Sequence, residues 1–323
     1  MKTAMDDDLR DLAWSLWSEL GVPGWERHHR DVAIDVEPLI LFTAALPSLD
    51  ARLRGEVAGW CASFDRFISK TRLRNLARDQ DEHVASAFYT FAVALNRSAG
   101  LHWPISTKAV DFMDLQARER PMDRAIARRA ACVSLRLRAV FGVGSRAEVI
   151  RTLIAYPDTP LSAPEIAKYV FFARRNVAEA LDAFAFAGIV GSLEERRTVR
   201  YVLAQPLTDL VGEKPRRFPH WVELFGLLLG LRQLLAQPKP APVLRAVQAQ
   251  EFLETYAFAI ARSNLPGAPA VRPGFEVFSQ LESWSQQIAH EIATNHSDVL
   301  STPRFRPTLL RVRRSNTSPT RTN

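Results

Sequence analysis

Apolar residues along this chain recur at helical spacing nearly everywhere, and the period changes to strand-like alternation only once, at Ile189. That single switch restricts the chain to a mainly α fold with one small β-hairpin. The hairpin is expected over Ile189–Leu193 and Thr198–Leu203, around the polar turn Glu194-Glu195-Arg196-Arg197. The helices before it are expected at Asp8–Leu20, ended by Gly21, then Pro38–Ala45, Asp50–Ser63 with Asp50 as N-cap, Thr71–Ala77, Glu82–Asn96, an arginine-rich Met122–Val140, and Ser145–Ala155. Those after it are Trp221–Ala236, Val243–Arg262 and Phe275–Ala293, punctuated by prolines at 238, 240 and 242 and by Leu265–Pro273. The spacing of breaks suggests a helical N-terminal domain over 1–103, an arginine-rich connecting helix in 104–143, a central domain over 144–206, a helical C-terminal region over 207–300, and a basic, disordered tail over 301–323.

Hydrophobic residues make up 47% of the chain, which excludes a disordered protein. Only Cys61 and Cys132 are present, far apart, which argues against a disulfide framework or a cysteine-rich zinc site and suits a reducing cytoplasm. Asp6, Asp7 and Asp8 stand where a secretory signal needs positive charge, and Trp221–Ala236 is interrupted by Glu223, Gly226, Gly230, Arg232 and Gln233. A soluble, cytoplasmic protein with no membrane partner is expected. The net charge of +7 is local: the tail from Ser301 and the stretch Gln116–Arg138 hold most of the arginine excess, and the remainder is net acidic.

The central segment has a definite grammar. Ser145–Ala155 is amphipathic, with Val149, Leu153 and Ile154 inward, and stops at Tyr156-Pro157-Asp158. Leu161-Ser162-Ala163-Pro164-Glu165-Ile166-Ala167 follows, in which Ser162 and Glu165 form an S-x-x-E capping box for a short helix ending near Tyr169. A third helix starts at Arg174-Arg175-Asn176, buries Val177, Leu181, Phe184 and Ala185, turns Arg174, Arg175, Asn176, Ala178, Glu179 and Asp182 outward, and ends at Gly188. With the Ala187-Gly188-Ile189-Val190 exit and the return strand Arg200-Tyr201-Val202-Leu203, this resembles the winged helix-turn-helix domain of bacterial regulators of the MarR and ArsR kind. The resemblance covers residues 144–206 and implies that the third helix enters the major groove by its N-terminal half while the hairpin lies on phosphate or in the minor groove. It makes Arg174, Arg175 and Asn176, with Glu179 beside them, the base-facing residues, and Arg196, Arg197 and Arg200 the phosphate contacts of the wing. The family's serine or threonine cap before this helix is replaced by Ala173.

Other basic segments have plainer explanations. The arginines of Met122–Val140, and Lys70, Arg72, Arg74 and Arg78 in Ser69–Arg78, are expected to solvate exposed helix faces, while the basic tail is equally a phosphate-attracting arm or an end without a role. Enzyme signatures fail. His290-Glu291 opens like a zinc-protease motif, but the next histidine is His296, roughly 240° further round a helix. Gly142-x-Gly144-Ser145 lacks the lysine of a phosphate loop. No catalytic residue, metal ligand or cofactor is expected.

The expected function is therefore sequence-specific regulation of transcription, with double-stranded DNA as partner and a homodimer as the binding form. The alternative is an antitoxin-like protein that neutralises a partner enzyme, such as a nucleotidyltransferase-type toxin, and autoregulates through its winged helix. Trp221–Ala236 bears on the choice. It is apolar nearly all round and must be covered, either by the chain's own last two helices or by a second copy or another protein approaching Gly226 and Gly230.

Overall fold

The computed structural model describes residues 4–46, 50–109, 113–117, 123–195, 198–204, 207, 212–237, 241–271, 274, 276–296 and 299–303. The fold is mainly helical with one small antiparallel sheet. The helices are α1 (Ala4–Glu19), α2 (Val36–Ala45), α3 (Ala51–Ser63), α4 (Lys70–Asp79), α5 (Glu82–Ala99), α6 (Arg124–Ala127), α7 (Val133–Phe141), α8 (Ser145–Ala155), α9 (Ala163–Val170), α10 (Arg174–Phe186), α11 (Trp221–Ala236), α12 (Pro242–Arg262) and α13 (Val277–Thr294). The strands are β1 (Leu161–Ser162), β2 (Val190–Glu195) and β3 (Thr198–Leu203), in the order β1-β3-β2. Among the described residues, no helix is long and apolar enough to cross a membrane.

Two hydrophobic cores organise these elements. The larger joins α1–α5 to α11–α13, so the first and last parts of the chain share one interior. Trp14, Trp17, Leu9, Leu12 and Leu16 of α1 are fully buried in it. Helix α11 runs through its middle, packed by α1, α2, α12 and α13, with Phe225 stacked on Phe42 at 4.2 Å. Leu227, Leu228 and Leu231 have no exposed surface. The chain itself thus covers the helix that is apolar all round, and the close approach at Gly230 is made by Tyr256 and Phe252 of α12 rather than by another molecule.

The arginine-rich connection is not one helix, contrary to expectation. It breaks into α6, a 3-10 turn at Ala130–Cys132 and α7, with the discontinuity at Arg128–Arg129. The reason lies in the arginines themselves. Arg129 donates to the carbonyls of Ser18 and Glu19 at 3.0 Å each, satisfying the open C-terminal end of α1. Arg136 folds back onto the carbonyls of Ala127 and Arg129, which the break has released from a helical ladder. Met122, Arg118 and Arg120 lie outside the described residues.

The smaller core holds α7–α10 and the sheet, built from Leu137, Val149, Ile150, Leu153, Ile166, Val170, Val177, Leu181 and Phe184 with Val190 and Tyr201. Between the two cores lies a buried set of three acids and three arginines: Asp35, Glu37 and Glu148 with Arg72, Arg138 and Arg151. Arg72 and Arg138, expected on solvated faces, are inside because each meets carboxylates from a distant part of the chain. Arg72 pairs with Asp35 and with Glu37 at 2.9 Å, and Arg138 with Glu37 at 2.7 Å and Glu148 at 2.6 Å. Burial alone would raise the Glu148 carboxyl, but Arg151, Arg138 and Arg72 outweigh it and hold that carboxyl below its ordinary range.

Candidate nucleic-acid interface

Helix α8 ends at Tyr156, and the chain turns through Pro157–Pro160 into β1. Ser162 then starts α9 with the expected capping box: Glu165 Oε2 accepts from the Ser162 N–H at 2.8 Å and from its hydroxyl at 2.6 Å. Phe171 stops α9 in the left-handed region, at φ 59°, a conformation an L-residue adopts at a cost. The Phe171 carbonyl so released accepts from Asn75 Nδ2 of α4 at 3.1 Å, and the Val170 carbonyl accepts from Arg72 Nε at 3.0 Å. Helix α4 thus braces the turn that launches α10.

Ala173 gives α10 no side-chain cap, so the N-cap supplies no partner for the first-turn amides, which lack intrahelical ones. Val177, Ala180, Leu181 and Phe184 anchor one face in the smaller core, whereas Ala185 is only half-buried. Gly188, at φ 71°, makes the exit, where the Ile189 amide returns to the Phe184 carbonyl at 2.9 Å. Strands β2 and β3 then pair from Val190↔Leu203 to Glu195↔Thr198, closing the hairpin across two residues, and β1 pairs on the other edge of β3 through Leu161↔Tyr201.

This frame distributes the sequence-derived residues unevenly. Arg174, Arg175, Asn176 and Glu179 are all exposed. Arg175 Nε donates to Glu179 Oε1 at 2.7 Å, an i,i+4 pair whose hydrogen bond and charge raise the guanidinium pKa. Arg200 is turned inward instead. It donates to the Pro160 carbonyl and to Glu165 Oε2 at 3.1 Å each, so it ties β3 to the cap of α9. Arg196 and Arg197, at the hairpin tip, lie outside the described residues, as does the tail from residue 304.

The structure also adds neighbours. On α4, the helix whose Asn75 touches the turn before α10, Thr71, Arg74 and Arg78 are exposed, and Lys168 is exposed on α9. The sequence signal was the i,i+4 spacing of Arg74 and Arg78 on a serine-capped helix; nothing local revealed what that helix would rest against. Among the described residues no group of His, Cys, Asp and Glu is arranged to hold a metal ion. Set against family models, curated proteins and solved structures, the chain matches none significantly.

Proposed function

We propose that this chain is a sequence-specific DNA-binding regulator in which residues 144–206 act as a winged helix-turn-helix. The observation that carries the proposal is the N-terminal turn of α10. It presents Arg174, Arg175 and Asn176 to solvent, uncapped, on a helix whose opposite face is fixed in a core. Guanidinium groups read guanine by two hydrogen bonds, and the asparagine amide reads adenine in the same way. The antiparallel hairpin follows at the position a wing would occupy, and the exposed Arg74, Arg78 and Lys168, on the two helices that meet at the turn, add positive charge that a phosphate backbone would attract.

A homodimer is the binding form we propose. Phe186, in the last turn of α10, is 96% exposed, an apolar surface left open to solvent. A second copy would cover that apolar patch and pair two recognition helices over two half-sites.

The test is selection from random double-stranded DNA by the purified full chain, followed by anisotropy titrations on the enriched sequence. Arg174→Ala and Asn176→Ala should each weaken the enriched site by roughly tenfold and leave scrambled DNA unchanged. Enrichment of no sequence, or equal losses on enriched and scrambled DNA, would refute sequence reading by α10.

A further inference from the structure

A cleft of about 630 Å³ opens beside the C-terminal end of α1, between the loop that follows it and the start of the broken arginine-rich segment. Its wall contains Ser18, with the buried Glu19 next to it in the chain. Both residues are almost fully buried, at 4% and 1% exposed.

Arg27, Arg30 and Arg129 also line the cleft. Arg27 stands 3.6 Å from Glu19 Oε2, and Arg129 spends one guanidinium nitrogen on the two α1 carbonyls. Burial raises the Glu19 pKa, and the charges of Arg27, Arg129 and Arg30 act against that rise. Among the described residues, Glu26 is the one acid in the wall against these three arginines, so positive charge is in excess. Trp25 completes the wall. It is stacked on Trp14 at 5.7 Å and 14°, and Arg52 sits over the Trp14 ring, so the indole is held as a platform that remains 41% exposed.

We propose that this cleft binds a nucleoside monophosphate, with the phosphate on the arginines and the base against Trp25. The three guanidinium groups suit a phosphate monoester, which carries close to two negative charges. Stacking on an indole suits any nucleobase. A simple aromatic carboxylate would bring one negative charge where three arginines can meet two. The volume lies within the range of small-ligand sites. This inference stands apart from the DNA proposal, since none of these residues belongs to the recognition unit.

Isothermal titration of the full chain with AMP, GMP, CMP and UMP, and with inorganic phosphate alone, tests it. At least one nucleotide should bind with sub-millimolar affinity, and phosphate alone about tenfold or more weaker. Arg30→Gln should weaken that nucleotide about tenfold, and Trp25→Ala should do the same while leaving phosphate binding unchanged. Trp25→Phe, which keeps a ring on Trp14, should retain most of the affinity and guards against a folding defect in Trp25→Ala. The proposal is overturned if no nucleotide binds at about 5 mM, if phosphate binds as tightly as the nucleotides, or if Arg30→Gln binds like the wild type.

Discussion

Arg138 and Glu37, 101 residues apart, form a two-pronged ion pair in which both guanidinium nitrogens meet both carboxylate oxygens at 2.7 Å. Glu37 lies on α2, whose apolar residues belong to the larger core, and Arg138 on the helix that leads into the smaller one, so the pair ties the two together. Glu37 also accepts from Arg72 at 2.9 Å and from the Ser69 amide at 2.8 Å, leaving neither oxygen unused. An ionic set this completely satisfied contributes little over an apolar filling, but losing one member strands a buried charge.

Glu37→Gln should therefore lower stability by about 3–5 kcal/mol, by leaving Arg72 and Arg138 with an uncompensated charge. Arg138→Lys should also destabilise, because one ammonium cannot reach Glu37, Glu148 and the Phe67 carbonyl together. Urea unfolding followed by circular dichroism measures both. A loss for Glu37→Gln below about 1 kcal/mol would mean that the set is more hydrated than its burial implies.

His29 provides a separate acid response. Its Nε2 faces the Ile292 carbonyl at 2.9 Å, so that nitrogen is the donor, and Nδ1 accepts from the Ser15 hydroxyl at 2.8 Å. Burial favours this neutral ring and lowers the pKa from 6.5 to about 4. Between those values the unfolded chain binds the extra proton and the folded chain does not. Stability is thus complete above pH 6.5 and falls on acidification to pH 4, by up to about 3 kcal/mol. The carboxyls of Asp35 and Glu148 are held below their ordinary values of 3.8 and 4.5, so their stabilisation is present above those values and is lost only at lower pH. His29→Gln should flatten the urea midpoint between pH 6.5 and 4; a profile parallel to the wild type would assign the decline to another group.

Much of the fold was legible because its determinants are local. Leu181 and Phe184 at helical spacing, the Ser162–Glu165 box and the stop at Gly188 each act within one turn of backbone, and α8, β3 and α11 fall on the residues that the pattern assigns. What was not legible depends on partners far along the chain. Arginine at 72 or 138 has the same local pattern whether it meets water or Glu37, so periodicity reads both as solvated. The break at Arg128–Arg129 carries no proline or glycine; it arises because Arg129 is drawn to the end of α1. At the candidate interface, the exposure of Arg174, Arg175 and Asn176 followed from the amphipathic stripe, while the inward turn of Arg200 required β3 to lie beside the cap of α9.

The bracing of the α10 turn by α4 leads to a prediction about DNA. Arg74 and Arg78 would reach flanking phosphates rather than bases, so replacing both by alanine should weaken all DNA sequences alike and shallow the dependence of affinity on salt by about one to two counterions. The preferred sequence should stay the same, in contrast to Arg174→Ala. An unchanged salt slope in the double variant, with wild-type binding otherwise intact, would place α4 outside the footprint.

Two glycines one turn apart in α11 should respond to alanine with opposite sign. At Gly226 a new Cβ meets nothing within 4 Å, and the residue sits in a continuous helix. Alanine there removes unfolded-state freedom without a clash and should stabilise by about 0.4–1 kcal/mol. At Gly230 the same atom would come within 2.5 Å of the Tyr256 hydroxyl oxygen, 2.8 Å of its ring carbon Cζ and 3.1 Å of Phe252. Those two rings are stacked on each other at 4.5 Å, and Phe252 is buried, so neither withdraws without disturbing the packing of α12 on α11. The gain in helix propensity is of the same size as at Gly226, but overpacking of about 1–3 kcal/mol outweighs it. Gly230→Ala should thus melt below the wild type and Gly226→Ala above it, by thermal unfolding at one protein concentration. If Gly230→Ala also stabilised, Tyr256 would have a free path to solvent and the α11–α12 contact would be looser than its geometry indicates.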